Sequence, residues 1–132
     1  SQNTVHLDVM HEPFPDQVNH IQIGKETDLF IVVPATANTI AKLAHGFADN
    51  MVTATALALP HFVPKLLAPA MNTKMYDHPA TQANLKTLED YGYTIISPKD
   101  SLLACGDTGR GALADLETIL QEIKDKLHEQ TL

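Results

Sequence analysis

Cys105 is the only cysteine of the chain, and it stands in a stretch from Ser97 to Gly111 with glycines at 106, 109 and 111. A lone cysteine makes no intrachain disulfide and no cysteine-based zinc cluster, so whatever it does it does as a thiol. A small buried hydrophobe is the ordinary role of such a residue, but a Gly-rich loop is a poor place to bury one, and exposure turns the thiol toward chemistry. Two further segments carry polar groups among small neighbours. Pro34-Ala-Thr-Ala-Asn-Thr39 leads into a helical pattern, and Pro69-Ala-Met-Asn-Thr-Lys-Met75 holds Asn72 between two methionines. Small side chains let a flat or anionic ligand approach the backbone. Asn38 or Thr39 fits a helix N-cap equally well, and Asn72 with its methionines fits a packed, capped turn. His20 is one of seven histidines. Its place just before Ile21, on a short helical pattern leading into the first clear strand, singles it out.

The elements that must position these residues alternate. Leu29 to Val33 is a continuous apolar run stopped by Pro34, as expected of a strand buried on both faces. Lys65 to Ala68 ends at Pro69, and Tyr93 to Ile96 ends at Ser97-Pro98. Between them, helices are expected over Thr39 to Ala44 (closed by Gly46), Met51 to Leu59 (closed by Pro60) and Pro79 to Tyr91 (closed by Gly92). A last helix carries Leu113, Leu116, Ile119, Leu120, Ile123 and Leu127, whose spacing predicts an apolar stripe against a sheet. Glu122 and Lys126 read as solvated i, i+4 neighbours. This alternation specifies an α/β layered fold. Ligands of such sheets bind outside the carboxyl ends of the strands, where the three polar loops lie.

The start is less regular. Val5, Leu7 and Val9 alternate with His6, Asp8 and Met10, and a short helix is expected around Gln17 to Lys25. Three strands alone would leave the most apolar one at an edge, so either another strand lies beside Phe30 to Val33 or the chain lacks its beginning. With no repeat and no Gly/Ser linker, residues 1–132 read as a single domain.

Of 132 residues, 9 are basic and 16 acidic, a formal charge of −7, with 44% hydrophobic content. This describes a globular domain whose surface repels nucleic-acid phosphates and anionic lipid, so neither is an expected partner. No stretch approaches the roughly 20 apolar residues of a membrane-spanning helix, and no signal-peptide core opens the chain, so a cytoplasmic location is expected. The third loop lacks the Gly-Lys-Ser/Thr ending of a phosphate loop and the glycine order of a dinucleotide fingerprint. The histidines lack the spacing and carboxylate neighbours of a metal site, and none is expected.

Asn19-His20-Ile21, Pro34-Ala-Thr-Ala-Asn-Thr39, Pro69-Ala-Met-Asn-Thr-Lys-Met75 and Ala104-Cys-Gly-Asp107, in that order and on those loops, resemble the flavin-containing cysteine decarboxylases. The resemblance runs from about Val18 to Leu120. It implies a flavodoxin-like Rossmann three-layer fold with a parallel sheet, here expected to lack an N-terminal βαβ unit that carries the FMN phosphate loop. It implies FMN as cofactor and a homotrimer or dodecamer as assembly. His20 then matches the active-site base, and Thr36, Ala37, Asn38 and Thr39 match the flavin-contacting stretch, with Ala70 a further flavin contact. Asn72 matches the residue holding the substrate carboxylate. Cys105 matches the proton donor of a flap that closes over the substrate, and Met75, Ala104 and Gly106 are expected beside the substrate.

The implied substrate is 4'-phosphopantothenoylcysteine, converted to 4'-phosphopantetheine in coenzyme A biosynthesis. A cysteine carboxylate has no electron sink at its β-carbon, so direct loss of CO2 would leave an unstabilised carbanion. Prior oxidation of the thiol-bearing carbon supplies the sink. Two other readings stay open: an oxidative decarboxylase of the C-terminal cysteine of a peptide, as in lantibiotic maturation, and a non-catalytic regulatory subunit of a protein phosphatase. Cys105 favours the coenzyme A pathway over the first.

Overall fold

The computed structural model describes residues 27–102 and 108–131, together with the backbone of residues 5–7. The short helix expected around Gln17 to Lys25 lies outside the described residues. Six strands are described: β1 (Val5–Leu7), β2 (Leu29–Ala35), β3 (Lys65–Pro69), β4 (Tyr93–Ile95), β5 (Lys99–Leu102) and β6 (Thr108–Ala112). The helices are α1 (Ala37–Ala44), α2 (Met51–Ala58), α3 (Thr73–Asp77), α4 (Pro79–Asp90) and α5 (Leu116–Thr131).

β1 to β4 form one parallel sheet in the order β1-β2-β3-β4. Val5 pairs with Leu29, Phe30 with Lys65 and Lys65 with Tyr93. The alternation at Val5 and Leu7 is thus a strand, and it covers the edge of β2 that three strands would leave open. β2 runs two residues further than its apolar run, through Pro34. This is tolerated because Pro34 is exposed and falls where the register shifts between Val32 and Ala35, so its missing N–H costs no regular ladder bond.

The apolar run of β2 serves both faces. Phe30 and Val32 pack with Ile40 and Leu43 of α1, Val52 and Ala56 of α2 and Leu85 and Leu88 of α4. Leu29 and Ile31 pack on the other face with Leu66, Ala114 and Ile119, backed by Ile123 and Leu127 of α5. Helices on both faces of a parallel sheet are the reason β2 and β3 contain no polar alternation.

Capping sets the helix starts. Asn50 opens α2 with a capping box, its side chain accepting from the Thr53 N–H while the Thr53 hydroxyl accepts from the Asn50 N–H. α2 stops one residue short of Leu59, which precedes Pro60 in extended conformation. Gly92, at a φ of +101°, follows the end of α4. The expected stripe of α5 is only partly buried. Leu116 is 69% exposed and Leu120 45%. Leu116 opens the helix ahead of the covered turns, and Leu120 is turned about 100° from Ile119. Leu113 precedes the helix yet still packs on the same cluster. Lys126 approaches Glu129 at 3.6 Å, so its partner is not the expected Glu122.

The Gly-rich third loop contains an element its composition hides. β5 and β6 form an antiparallel hairpin, Asp100 opposite Arg110 and Ser101 opposite Gly109, whose tip, residues 103–107, lies outside the described residues. Among the described residues no helix is long and apolar enough to cross a membrane.

Phe30 is fully buried between the sheet and α1, α2 and α4. Phe30→Ala is expected to cost about 3–5 kcal/mol in urea unfolding, and Leu116→Ala under about 0.5 kcal/mol. Equal costs would contradict this placement of the core.

Candidate active site

Two of the three polar loops meet at the carboxyl end of the sheet. Ala35 and Pro69 are register partners at the ends of β2 and β3, and just beyond them the Ala70 N–H donates to the Ala35 carbonyl at 3.0 Å. This bond extends the parallel ladder by one step and sets residues 36–39 beside residues 70–72. It also consumes the Ala70 N–H, while Ala70 itself stays half-buried.

The first loop turns into α1 through Thr36, whose Oγ1 accepts from the Thr39 N–H at 3.2 Å and lies 3.2 Å from the Thr39 hydroxyl. The N-cap is therefore Thr36, and neither Asn38 nor Thr39 fills that role. A cap must precede the first helical residue in extended conformation, and α1 begins at Ala37, two residues earlier than the apolar periodicity indicates. Thr39 is buried, Thr36 and Asn38 are exposed and Ala37 is intermediate.

The second loop ends in a second cap. Asn72 Oδ1 accepts from the Met75 N–H at 2.9 Å, opening the short helix α3. With its oxygen accepting from the backbone, the exposed Asn72 amide keeps both of its N–H donors uncommitted to the cap. Met75, one turn on, is 45% exposed, and Met71 is partly buried against the core.

β6 of the hairpin packs against this second loop. The Met71 N–H donates to the Gly111 carbonyl at 2.9 Å. Gly111 has a φ of +150° and is the unmatched residue where the hairpin register shifts, and a Cβ there would collide with the Met71 carbonyl oxygen. A Cβ on Gly109 would stand 2.6 Å from Thr73 Oγ1 and 2.8 Å from its Cγ2. In the sequence, Thr73, Gly109 and Gly111 carry no mark of a site beyond the pair of glycines two apart after Cys105, a spacing that does not by itself specify close approach. Arg110, between them, lies 3.6 Å from Asp100 across the hairpin.

The structure thus brings Thr36, Ala37, Asn38, Thr39, Ala70, Asn72 and Met75 to one end of the sheet and joins the hairpin to them. His20, Ala104, Cys105 and Gly106 lie outside the described residues. A separate cavity of about 540 Å³, lined by Leu43, His45, Leu57, Lys65 and Tyr93 among others, opens at the opposite pole. There β3 and β4 begin and α1 ends, away from the carboxyl ends of the strands where the polar loops lie. Burial alone pushes the Tyr93 hydroxyl up to about 12 and lowers the Lys65 ammonium. That cavity is not the site of the loops.

A flat cofactor with acceptor groups along one edge suits the two loops. Ala37 and Asn38 sit in the first turn of α1, and their N–H groups have no partner among the described residues. Ala70 and the residues flanking Ala37 and Asn38, Thr36 and Thr39, are small or short. The family model described as Flavoprotein matches residues 2–128.

The chain belongs to the Flavoprotein family.

A family relative from Streptococcus mutans named "Probable phosphopantothenoylcysteine decarboxylase" is 59% identical over 127 residues, 96% of this chain and 71% of that protein. A solved structure of a cysteine-to-serine PPC decarboxylase mutant, complexed with pantothenoylaminoethenethiol, superposes with a TM-score of 0.75 at 37% identity over 80% of this chain. A second, "The FMN binding protein AtHal3", superposes at 0.74 with 38% identity, also over 80%. The chain spans 58% and 57% of those two solved chains. The flavodoxin-like α/β architecture of the Flavoprotein family is therefore the architecture here.

The cap role of Asn72 can be tested by itself. Asn72→Ala removes the acceptor for Met75 and is expected to lower stability by about 1 kcal/mol, whereas Asn72→Asp keeps a cap at a helix N-terminus and should leave it unchanged or raised. Thermal unfolding of both variants reads the difference, and equal losses would contradict the cap.

Proposed function

We propose that this chain is the flavin-binding part of an FMN-dependent decarboxylase that converts 4'-phosphopantothenoylcysteine into 4'-phosphopantetheine in coenzyme A biosynthesis. The observation that carries the reading is Asn72, an exposed amide at the carboxyl end of the sheet whose oxygen is fixed on the Met75 N–H, which leaves its two N–H donors uncommitted to the cap. Support comes also from the Streptococcus mutans relative and from the solved PPC decarboxylase mutant in complex with an aminoethenethiol compound.

Thr36, Ala37, Asn38, Thr39 and Ala70 are the residues that would hold FMN, with first-turn N–H groups of α1 as donors. Bound there, FMN would supply the two-electron oxidation of the thiol-bearing carbon that creates the electron sink a cysteine carboxylate lacks, and the matching reduction afterwards. Asn72 orients the carboxylate by donating to it. A neutral amide does this without the full positive charge that would stabilise the carboxylate and slow its loss. Met75, Ala104 and Gly106 border the substrate. His20 handles the substrate proton in the oxidative half, and Cys105 donates a proton to the enethiolate left after CO2 departs. The proposed assembly is a homotrimer or dodecamer in the cytoplasm, as the resemblance to the cysteine decarboxylases implies.

Two variants test the assignment. Asn72→Asp keeps the cap, loses both donors and faces the substrate with a like charge, so kcat/KM for CO2 release should fall by at least about 100-fold, roughly 3 kcal/mol, without loss of stability. Retained activity would remove Asn72 from the site. Cys105→Ser should still reduce flavin and release CO2 when mixed anaerobically with substrate, then stall with reduced flavin and no saturated product, because a hydroxyl is a far weaker acid than a thiol. Full turnover would eliminate Cys105 as the acid and restore the peptide-cysteine decarboxylase to contention. A protein that cannot be loaded with FMN would overturn the reading as a whole.

A further inference from the structure

The hairpin touches the second loop at two points, and both lie on the residues flanking Asn72. On one side the Met71 N–H donates to the Gly111 carbonyl at 2.9 Å. On the other, Gly109 lies so close to Thr73 that an added Cβ would come within 2.8 Å of both Thr73 Oγ1 and Thr73 Cγ2. Asn72 is thereby held from three directions: by its own cap onto Met75, by the backbone bond of the residue before it and by the packed side chain of the residue after it. The cap alone does not fix where the amide donors face, because a five-residue helix with no fully buried residue is weakly held by its own backbone. Tyr76 ties the far end of that helix to the core, and β6 anchors the end that carries Asn72.

We infer that Gly109, Gly111 and Thr73 form a seat that positions Asn72, so that they set the preference of the site for a carboxylate-bearing ligand. This rests on the reading that Asn72 holds the substrate carboxylate. The seat needs glycine at both points. Any side chain at 111 would meet the Met71 carbonyl, and a methyl at 109 would push Thr73, and Asn72 with it, away from the hairpin. Displacements of this size weaken orientation more than they weaken the fold. They also leave the remaining contacts of the ligand untouched, so the effect should be confined to the carboxylate.

The test uses the FMN-loaded protein and two unreactive ligands that differ only in that group: 4'-phosphopantothenoylserine, which has the carboxylate and no thiol, and the corresponding ethanolamine amide, which has neither. In calorimetry, Gly109→Ala should lose about tenfold in affinity for the serine ligand and less than about twofold for the ethanolamine one. Adding Thr73→Ala to Gly109→Ala makes room for the new methyl and should restore most of the lost affinity. If Gly109→Ala does not fold, Thr73→Ala alone carries the test. It leaves a gap beside Gly109, and hydrogen exchange of the Met71 amide should quicken about tenfold as the seat loosens. Equal weakening of both ligands, no restoration in the double variant, or an unchanged Met71 exchange rate would overturn the seat. A wild-type holoenzyme that releases CO2 while Gly109→Ala keeps its carboxylate preference overturns the seat alone. A wild-type holoenzyme that releases none overturns the proposed decarboxylation, and the seat with it.

Discussion

The hydrogen bond from the Ala70 N–H to the Ala35 carbonyl, 3.0 Å long, is the constraint on which the site depends. Its net worth in stability is only about 1 kcal/mol. Its geometric effect is larger, because it continues the β2/β3 ladder past the last paired residues and forces two polar loops to leave the sheet side by side. From that point each loop enters a helix after one or three residues, and each helix start is fixed by the side chain of its own N-cap, Thr36 or Asn72. Capping leaves over the first-turn N–H groups of α1 and the amide donors of Asn72.

Such a site can be built only on a rigid base. β2 is buried on both faces, with Phe30 and Val32 in one helical layer and Leu29 and Ile31 in the other, and β3 is likewise apolar from Leu66 to Ala68. Close packing of this kind transmits small displacements rather than absorbing them. The loops are therefore positioned by burial some distance away, while Thr36, Asn38 and Asn72 remain exposed. The hairpin then braces the second loop through backbone contacts that only glycine permits.

Much of this was legible in the residues. The uninterrupted apolar runs of β2 and β3 announce a parallel sheet covered on both faces, and the proline and glycine stops mark the helix ends to within a residue or two. Three features were not legible. Thr36 as the N-cap of α1 was obscured because Asn38 and Thr39 also suit capping and the apolar periodicity begins only at Ile40. The β5–β6 hairpin was hidden because Gly109 and Gly111, poor strand formers, occupy β6 to allow close approach to a loop nearly forty residues earlier. Leu116 and Leu120 carry the helical spacing of α5 but lie outside its buried contact with the sheet, which periodicity does not reveal. Of the candidate site, Asn72 was identifiable by type and neighbours, yet the commitment of its oxygen to the Met75 N–H is displayed only by the folded loop.

The central claim is that a cysteine carboxylate is bound at this end of the sheet and lost there as CO2. The most direct measurement supplies the FMN-loaded wild-type protein with 4'-phosphopantothenoylcysteine carrying ¹³C in its carboxyl group and follows the label. The expected result is labelled CO2 formed in equal amount with 4'-phosphopantetheine, with the flavin oxidised again at the end. Label remaining wholly in unreacted substrate, with the cofactor bound and the protein folded, would contradict the claim.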